Sequence, residues 1–417
     1  MSEIPATRRQ AAMPFIMLTV LIDMVSIGLI IPVLAPLVGQ LAGGGQDAQA
    51  YWYGVIALAY GAANFLGAPV LGALSDRYGR RPVLLLGFCG LAFSFFGTAL
   101  ATSVTGLLVI RLLAGFLQAN VAVAQAYVAD ISSAEERGRR FGLLGAMFGL
   151  GFILGPVAGG LLGAVSVHLP FYVAGTLALV NLLYGVLVLP ESLPAERRTA
   201  FRWRAANPVA SLVALYRLKA LRTLVGAIML ASLAQFTMHS VWVLYTQFKF
   251  GWGPLENGWS LFAIGLVSAL VQGGLLGWLL RKLGAERLVV WGLMSSTVAY
   301  VLWGLATEGW MMIAVILCNV LGFGVAAAIQ GMISNAAGAE QQGRTMGAVA
   351  GINSLSTVLA PLVGAPMLVL VSHLPPGDWR IGAPFFVCAL LLAAASVLAG
   401  LSARRRRAAQ PAVRVAS

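Results

Sequence analysis

Charge is what this chain lacks most. Of its 417 residues only 10% are Asp, Glu, Lys or Arg, against roughly 25% in a soluble globular domain. With 59% apolar residues there is too little polar side chain to cover a surface facing water, which excludes an ordinary soluble domain. Acids are the scarcer sign, 14 against 27 Lys and Arg. Cysteine is nearly absent. Cys89, Cys318 and Cys388 are odd in number, lie in apolar runs and match no metal spacing. A disulfide framework or zinc ribbon is therefore excluded, and they read as small packing residues. The three histidines, His168, His239 and His373, are scattered. No metal cluster, nucleophile–base set or phosphate loop is found, so no cofactor is expected and an enzyme is disfavoured.

What is present is a succession of long apolar runs. About 18 apolar residues suffice to cross a bilayer as a helix. Such runs occupy 13–39, 52–75, 82–101, 104–128, 139–164, 170–189, 221–248, 257–280, 287–306, 309–333, 343–372 and 382–402. Their continuity favours helices over barrel strands, which would alternate every second residue. The first run, Met13 to Gly39, greatly exceeds the roughly 7–15 residues of a signal-peptide core and contains Asp23. It reads as a retained span. The fold class expected is all-α integral membrane with twelve spans.

The net charge of +13 invites a nucleic-acid reading, and its distribution argues against one. With the N-terminus placed inside, 24 of the 27 Lys and Arg fall in inner loops and tails. Only Lys249 and Arg380 fall outside, and Arg111 lies within a run. That asymmetry is a topology signal. It predicts cytoplasmic termini, a lipid bilayer as partner and no nucleic acid.

A shift of 205 residues aligns the halves. Gly72, Gly79, Gly87, Gln125, Glu135, Gly138, Arg139, Gly142, Pro156 and Gly159 meet Gly277, Gly284, Gly292, Gln330, Glu340, Gly343, Arg344, Gly347, Pro361 and Gly364. Each half holds an even number of spans, so both have the same orientation, the plan of parallel-repeat transporters. The domains expected are a six-helix bundle at 1–189, a linker at 190–220, a second bundle at 221–402 and a basic tail at 403–417. The stretch from Arg202 to Leu221 mixes Arg, Trp and Leu at helical spacing and suits the inner leaflet surface.

Motifs sharpen this. The second and third runs are joined by Gly72-Ala-Leu-Ser-Asp76-Arg77-Tyr-Gly79-Arg80-Arg81, which resembles the major facilitator signature. Arg111-Leu-Leu-Ala-Gly115 resembles that family's arginine motif. Gly142, Gly151, Gly155-Pro156 and Gly159-Gly160 are similar to the antiporter motif of drug–proton exchangers. Asp23, Gly28, Pro32 and Pro36 follow the first-helix pattern of twelve-helix drug antiporters. Stretches such as Ser75–Leu86, Gly145–Gly160, Val241–Thr246 and Phe250–Trp252 resemble tetracycline efflux proteins. By that alignment, acids present in some tetracycline pumps are replaced here by Ser94 and a residue near Ser296, and a histidine by a residue near Ser268. The resemblance covers the whole chain. It implies a proton-coupled exporter of small amphiphilic drugs in a bacterial inner membrane, working as a monomer. Export of a native metabolite, sugar or siderophore stays open.

The residues themselves assign roles. Asp23 is ten residues into the first run, roughly 15 Å deep at about 1.5 Å per residue. A carboxyl there is costly, and is a functional candidate by default. Arg111, roughly 10 Å from the outer face, needs an acceptor, and Asp23 or a first-helix carbonyl is the one expected. Together they are read as the proton-coupling pair. Asp130 is expected to bind Arg77, Arg80 or Arg81. The resemblance implies that Asp76 caps the helix starting near Gly343, forming a gate with Gly72, Gly79 and those arginines. In the second half Arg281 replaces that aspartate. The glycines of the antiporter motif allow close helix approach. The substrate pocket is expected among Asn64, Gln125, Gln235, His239, Gln272 and Gln330, with Trp242 and Tyr245 as aromatic walls.

Overall fold

The computed structural model describes residues 6–118, 120–200, 222–336 and 342–408. The inner-leaflet reading of Arg202–Leu221 and the end of the basic tail lie outside them. The regular structure of the described residues is helical. The first part of the chain forms α1 (Ala6–Ala42), α2 (Gln46–Tyr78), α3 (Arg80–Ala99), α4 (Val104–Leu117), α5 (Asn120–Ile131), α6 (Ala134–Val165) and α7 (Leu169–Leu187). There follow α8 (Arg222–Phe250), α9 (Pro254–Leu283), α10 (Ala285–Leu305), α11 (Gly309–Cys318), α12 (Val320–Met332), α13 (Gln342–Val371) and α14 (Ala383–Ala408). Among the described residues eleven segments are each long and apolar enough to cross a bilayer, and twelve if α11 and α12, bent by 62° at their junction, count as one span. The chain is a multi-pass membrane protein. Large apolar side chains such as Leu66, Leu112, Phe116 and Leu183 lie on the outside, where lipid rather than water suits them.

Two spans expected to be continuous are broken. In the fourth, which still counts as one span, regular helix ends at Leu117, and Asn120–Ile131 is helical again. Gln118 there has φ −82° and ψ 81°, outside the helical range. Asn64 of α2 donates its amide to the Gln118 carbonyl at 2.6 Å, supplying the partner that a bilayer cannot. The tenth turns at Asn319 (φ −82°, ψ 38°). Its side-chain oxygen accepts from Ser295 at 2.9 Å. In α9 the helix opens into a π turn at Val271–Leu275.

The residues group into two compact units, Met1–Asn207 with Trp252–Gly265, and Pro208–Gly251 with Leu266–Ser417. In the first unit α1 packs chiefly on α6 and α7, α4 on α2, and α3 on α7. One apolar cluster joins Ile16, Val20 and Met24 to Phe88, Tyr127 and Leu144. A second, further along α1, joins Leu29, Val33 and Leu37 to Phe95 and Phe171. The core of the second unit is aromatic. Trp242 and Trp303 rings lie edge to face at 5.1 Å, and Tyr245 and Phe385 centroids are 4.4 Å apart.

The repeat shows in the backbone. Gly79 (φ +105°) and Gly284 (φ +74°), matched by the 205-residue shift, both end one helix and begin the next in a left-handed conformation. Any side chain is strained there. Cys388 is buried as expected, while Cys89 and Cys318 are exposed, so packing does not account for those two.

Candidate functional site

At the α2–α3 turn the chain assembles an acid–base cluster. Arg80 is the first residue of α3, and its side chain folds back over the end of α2. It ion-pairs with Asp76 at 2.5 Å and with Asp130 of α5 at 2.9 Å, and donates to Ser75 Oγ at 2.7 Å. Of the three arginines offered to Asp130, Arg80 is thus the partner. Arg77 is exposed beside the Tyr78 ring. Arg81 reaches the Val186 carbonyl. Gly72 has open space where a side chain would be. The side chains at the start of α13, where Asp76 is expected to cap the helix near Gly343, lie outside the described residues.

The sequence did not single out Glu191. Its Oε1 accepts from the Arg80 backbone N–H at 2.8 Å and its Oε2 from that of Arg81 at 3.2 Å. An anion at a helix N-terminus is favourable, so Glu191 caps α3 from the connection after α7. Ser192 Oγ donates to Asp130 at 3.3 Å, the Thr199 N–H to the Asp76 carbonyl at 3.1 Å, and the Tyr127 hydroxyl to the Pro190 carbonyl at 2.9 Å. The segment from Pro190 to Thr199 is thereby strapped across the cluster. Glu191→Gln is expected to lower thermal stability by about 1 kcal/mol, the scale of a lost cap, measured as a Tm shift of the purified protein.

Deeper in the same unit, Asp23 is 3% exposed. Its partner is Asn120, whose Nδ2 donates to the two carboxylate oxygens at 3.3 and 3.4 Å. The expected pairing with Arg111 is not made. Arg111 is also buried, and its Nε and Nη2 have no hydrogen-bond partner. Among the described residues no ion pair joins it to Asp23. The two parts of the fourth span have different neighbours. The α4 segment carrying Arg111 lies mainly against α2, while α5, beginning at Asn120, meets α1 and α3. Tyr53 and Tyr60 of α2 are the polar groups within electrostatic reach of Arg111. Gly87 of α3 leaves the room that the Asn120 amide fills.

The antiporter-motif glycines divide by the helix they face. A Cβ on Gly151 would strike Met24, one on Gly155 would lie 2.6 Å from Gly28 Cα, and one on Gly159 would strike the Leu29 backbone. These form a continuous seam with α1 beginning beside Asp23. Pro156 belongs to the same seam, its Cδ 3.0 Å from a Cβ placed on Gly28. Gly160 turns instead to the start of α9, where a Cβ would lie 2.7 Å from the Pro254 carbonyl. Gly142 meets nothing within 4 Å.

The pocket candidates separate in the same way. Asn64 supports the α4–α5 break rather than lining a cavity. Trp242 is 1% exposed and Tyr245 fully buried, with the Tyr245 hydroxyl bonded to the Trp303 carbonyl. Both are core, not pocket walls, because this face of α8 packs on α10 and α14. Gln125, Gln235, His239, Gln272 and Gln330 are exposed, with Gln272 bonded to Ser268 and the His239 ring edge-on to Phe236. Trp242→Ala is expected to destabilise by about 3–5 kcal/mol while leaving the ranking of transported compounds unchanged. Thermal unfolding and a substrate panel check this.

The Major Facilitator Superfamily profile matches residues 16–361. The tetracycline resistance protein of class C from Escherichia coli is 37% identical, covering 89% of this chain and 93% of that protein. The class D protein from Salmonella ordonez is 33% identical over 91% and 96%. Multidrug resistance protein 2 of Bacillus subtilis is 28% identical over 85% and 88%. Among solved structures, the human organic anion transporter MFSD10 (TETRAN) superposes with TM-score 0.68 at 26% identity, covering 95% of this chain and all of that one. The nucleoside transporter NupG, at 13% identity and TM-score 0.75 over 95% and 99%, shares the fold.

Proposed function

The chain belongs to the Major Facilitator Superfamily, and from that premise we propose that it exports small amphiphilic drugs, tetracyclines first among them, in exchange for protons. The observation that carries the coupling is Asp23, a carboxyl buried in α1 with one amide as its partner. In a low-dielectric interior such a group favours whichever charge state its surroundings stabilise. A change of cavity face would therefore change its proton occupancy. The adjoining α1–α6 glycine seam supports the antiporter reading, because helices so close leave no leak path past the carboxyl. Arg111 is assigned to the same coupling, acting at a distance through the Tyr53–Tyr60 side of α2. The halves 1–189 and 221–402 work by alternating access about the 190–220 linker. The cluster of Asp76, Arg80, Arg81 and Asp130 serves as the inner gate, with Arg77 flanking it. The protein acts as a monomer in a bacterial inner membrane with both termini cytoplasmic. Gln125, Gln235, His239, Gln272 and Gln330 remain proposed for the substrate path.

Drugs are preferred to a native metabolite because the curated relatives at 33–37% identity are tetracycline resistance proteins. Ser94, which is buried, and a residue near Ser296 replace, by the resemblance, acids that some tetracycline pumps carry. The site is therefore expected to hold its substrate, tetracycline included, with fewer charged contacts than those pumps use. In everted vesicles with an imposed acid interior, adding tetracycline with magnesium is expected to dissipate the gradient for the native chain and not for Asp23→Asn. An Asp23→Asn variant that still dissipates it would remove Asp23 from the coupling. A silent native chain would exclude tetracycline and move the same assay to cationic dyes.

A further inference from the structure

We propose that a cavity beside Asp23 is a water-binding site, and that Thr19, Asn120 and the bound water form the route by which a proton leaves this carboxyl. The inference rests on Asp23 being the proton carrier. Thr19 lies four residues before Asp23 on α1, one turn away on the same face. The cavity has Thr19, Asp23 and Asn120 as its polar walls and Leu84, Phe88 and Phe148 among its apolar ones. The space open to the centre of a water is about 10 Å³, at the lower edge of the roughly 10–15 Å³ that one water needs.

Two of the polar walls carry unused capacity. Thr19 Oγ1 and Asn120 Oδ1 have no protein partner, although Thr19 is 1% and Asn120 3% exposed. Buried polar atoms are nearly always satisfied by protein or by water. A water in this space has Thr19 and the Asp23 carboxyl as partners, with the Asn120 amide beside it, within the two to four partners that a buried water typically makes. The surroundings are built to keep it there. Asn181 of α7 donates to the Thr19 carbonyl at 3.0 Å, fixing that turn of α1. Gly87 leaves the space for the Asn120 amide. On the α6 side, Gly151 and Gly155 press directly on the α1 backbone around Met24, Val25 and Gly28, so that side of the carboxyl is closed by packed backbone.

The step balances simply. The carboxyl O–H bond breaks and a third O–H bond to the water forms. The carboxylate stays behind, held by the Asn120 amide, and the hydronium formed donates a hydrogen bond to Thr19 Oγ1 and carries the proton away when it leaves the cavity. No electron transfer is involved. Asn120 and Thr19 are positioning residues, acting on the proton through the water.

Infrared difference spectroscopy of the full-length protein in lipid nanodiscs, after a pH jump, reads this without any drug. The carboxyl C=O band of Asp23 is identified by its loss in Asp23→Asn. A bound-water O–H band that moves in H2¹⁸O is expected beside it. Thr19→Val is expected to abolish the water band and slow loss of the carboxyl band by about a hundredfold or more, the low end of what a placed proton relay contributes. Thr19→Ser should keep both. An unchanged rate in Thr19→Val, or a native protein whose difference spectrum has no ¹⁸O-sensitive band, overturns the proposal. If Asp23→Asn leaves the carboxyl region unchanged, Asp23 does not titrate, and the coupling role and the water route fall together. If that band is present and only the water band fails, the coupling role survives without this route.

Discussion

Gly155→Leu and Gly159→Leu will fail to accumulate as folded protein in the membrane, whereas Gly142→Leu will reach native levels. All three belong to one sequence motif, and only contact geometry separates them. At Gly155 the first atom added would sit 2.6 Å from Gly28 Cα, and at Gly159 it would run into the backbone of Leu29. The obstacles are backbone atoms on both sides, so no rotamer change relieves them. Overpacking typically costs about 1–3 kcal/mol, and a clash between two helix backbones lies at or beyond the upper end. The α1–α6 contact is the most extensive between any two helices of the described residues. Its separation would also open the packing around Asp23. Gly142 has nothing within 4 Å, so a leucine there has room. Fluorescence-detected size-exclusion chromatography of tagged variants measures the outcome. A monodisperse Gly155→Leu protein at native yield would mean that the seam is not as tight as drawn.

Arg80→Ala is the second large effect expected, a loss of about 3–5 kcal/mol, as for a buried ion pair robbed of one partner. The arginine side chain is 11% exposed and holds two carboxylates. The two acids are not equivalent. Asp130 is 22% exposed and Asp76 48%, so water screens Asp76 far more. Asp130→Asn should approach the arginine variant, while Asp76→Asn should cost under about 1 kcal/mol, like most exposed pairs. A double-mutant cycle on Arg80 and Asp130, read from thermal unfolding in detergent, tests the ranking. Equal losses for the two aspartate variants would contradict the burial argument. If Asp76 nevertheless abolishes transport with little loss of stability, its contribution belongs to the gate cycle rather than to the resting structure.

How much of this was legible before the structure follows from what kind of signal each residue carries. Asp23 stands out because an acid in a long apolar run is expensive wherever its partner lies. Asn120 does not, because an asparagine in a span is ordinary helix glue, and its partner is 97 positions away. The breaks at Gln118 and Asn319 were invisible for a related reason. Both runs stay largely apolar around these polar residues, and the groups that meet them, Asn64 at the Gln118 carbonyl and Ser295 at the Asn319 side chain, come from other helices. Trp242 and Tyr245 were misplaced because an aromatic side chain in a span looks the same whether it faces a cavity or a core. Only the packing of α8 against α10 and α14 decides. Glu191 carries no sequence signal of its role, since capping depends on where α3 begins in space. The glycine motif was legible as close packing, but which glycines touch which helix was not.

The matched turns at Gly79 and Gly284 bear on how such a chain ages after duplication. Both copies keep glycine where the backbone takes a positive φ, yet Asp76 has become Arg281 in the second copy. The two copies thus share the conformation of the turn and differ in its charge. A substitution at the turn strains its own copy at once, whatever the other copy does. A charge can be surrendered by one copy as long as the other retains it. The surviving acid–base cluster is then a single point of failure, and transplanting the segment from Gly72 to Arg81 onto the second copy would show whether the lost chemistry can be restored to a backbone that still accommodates it.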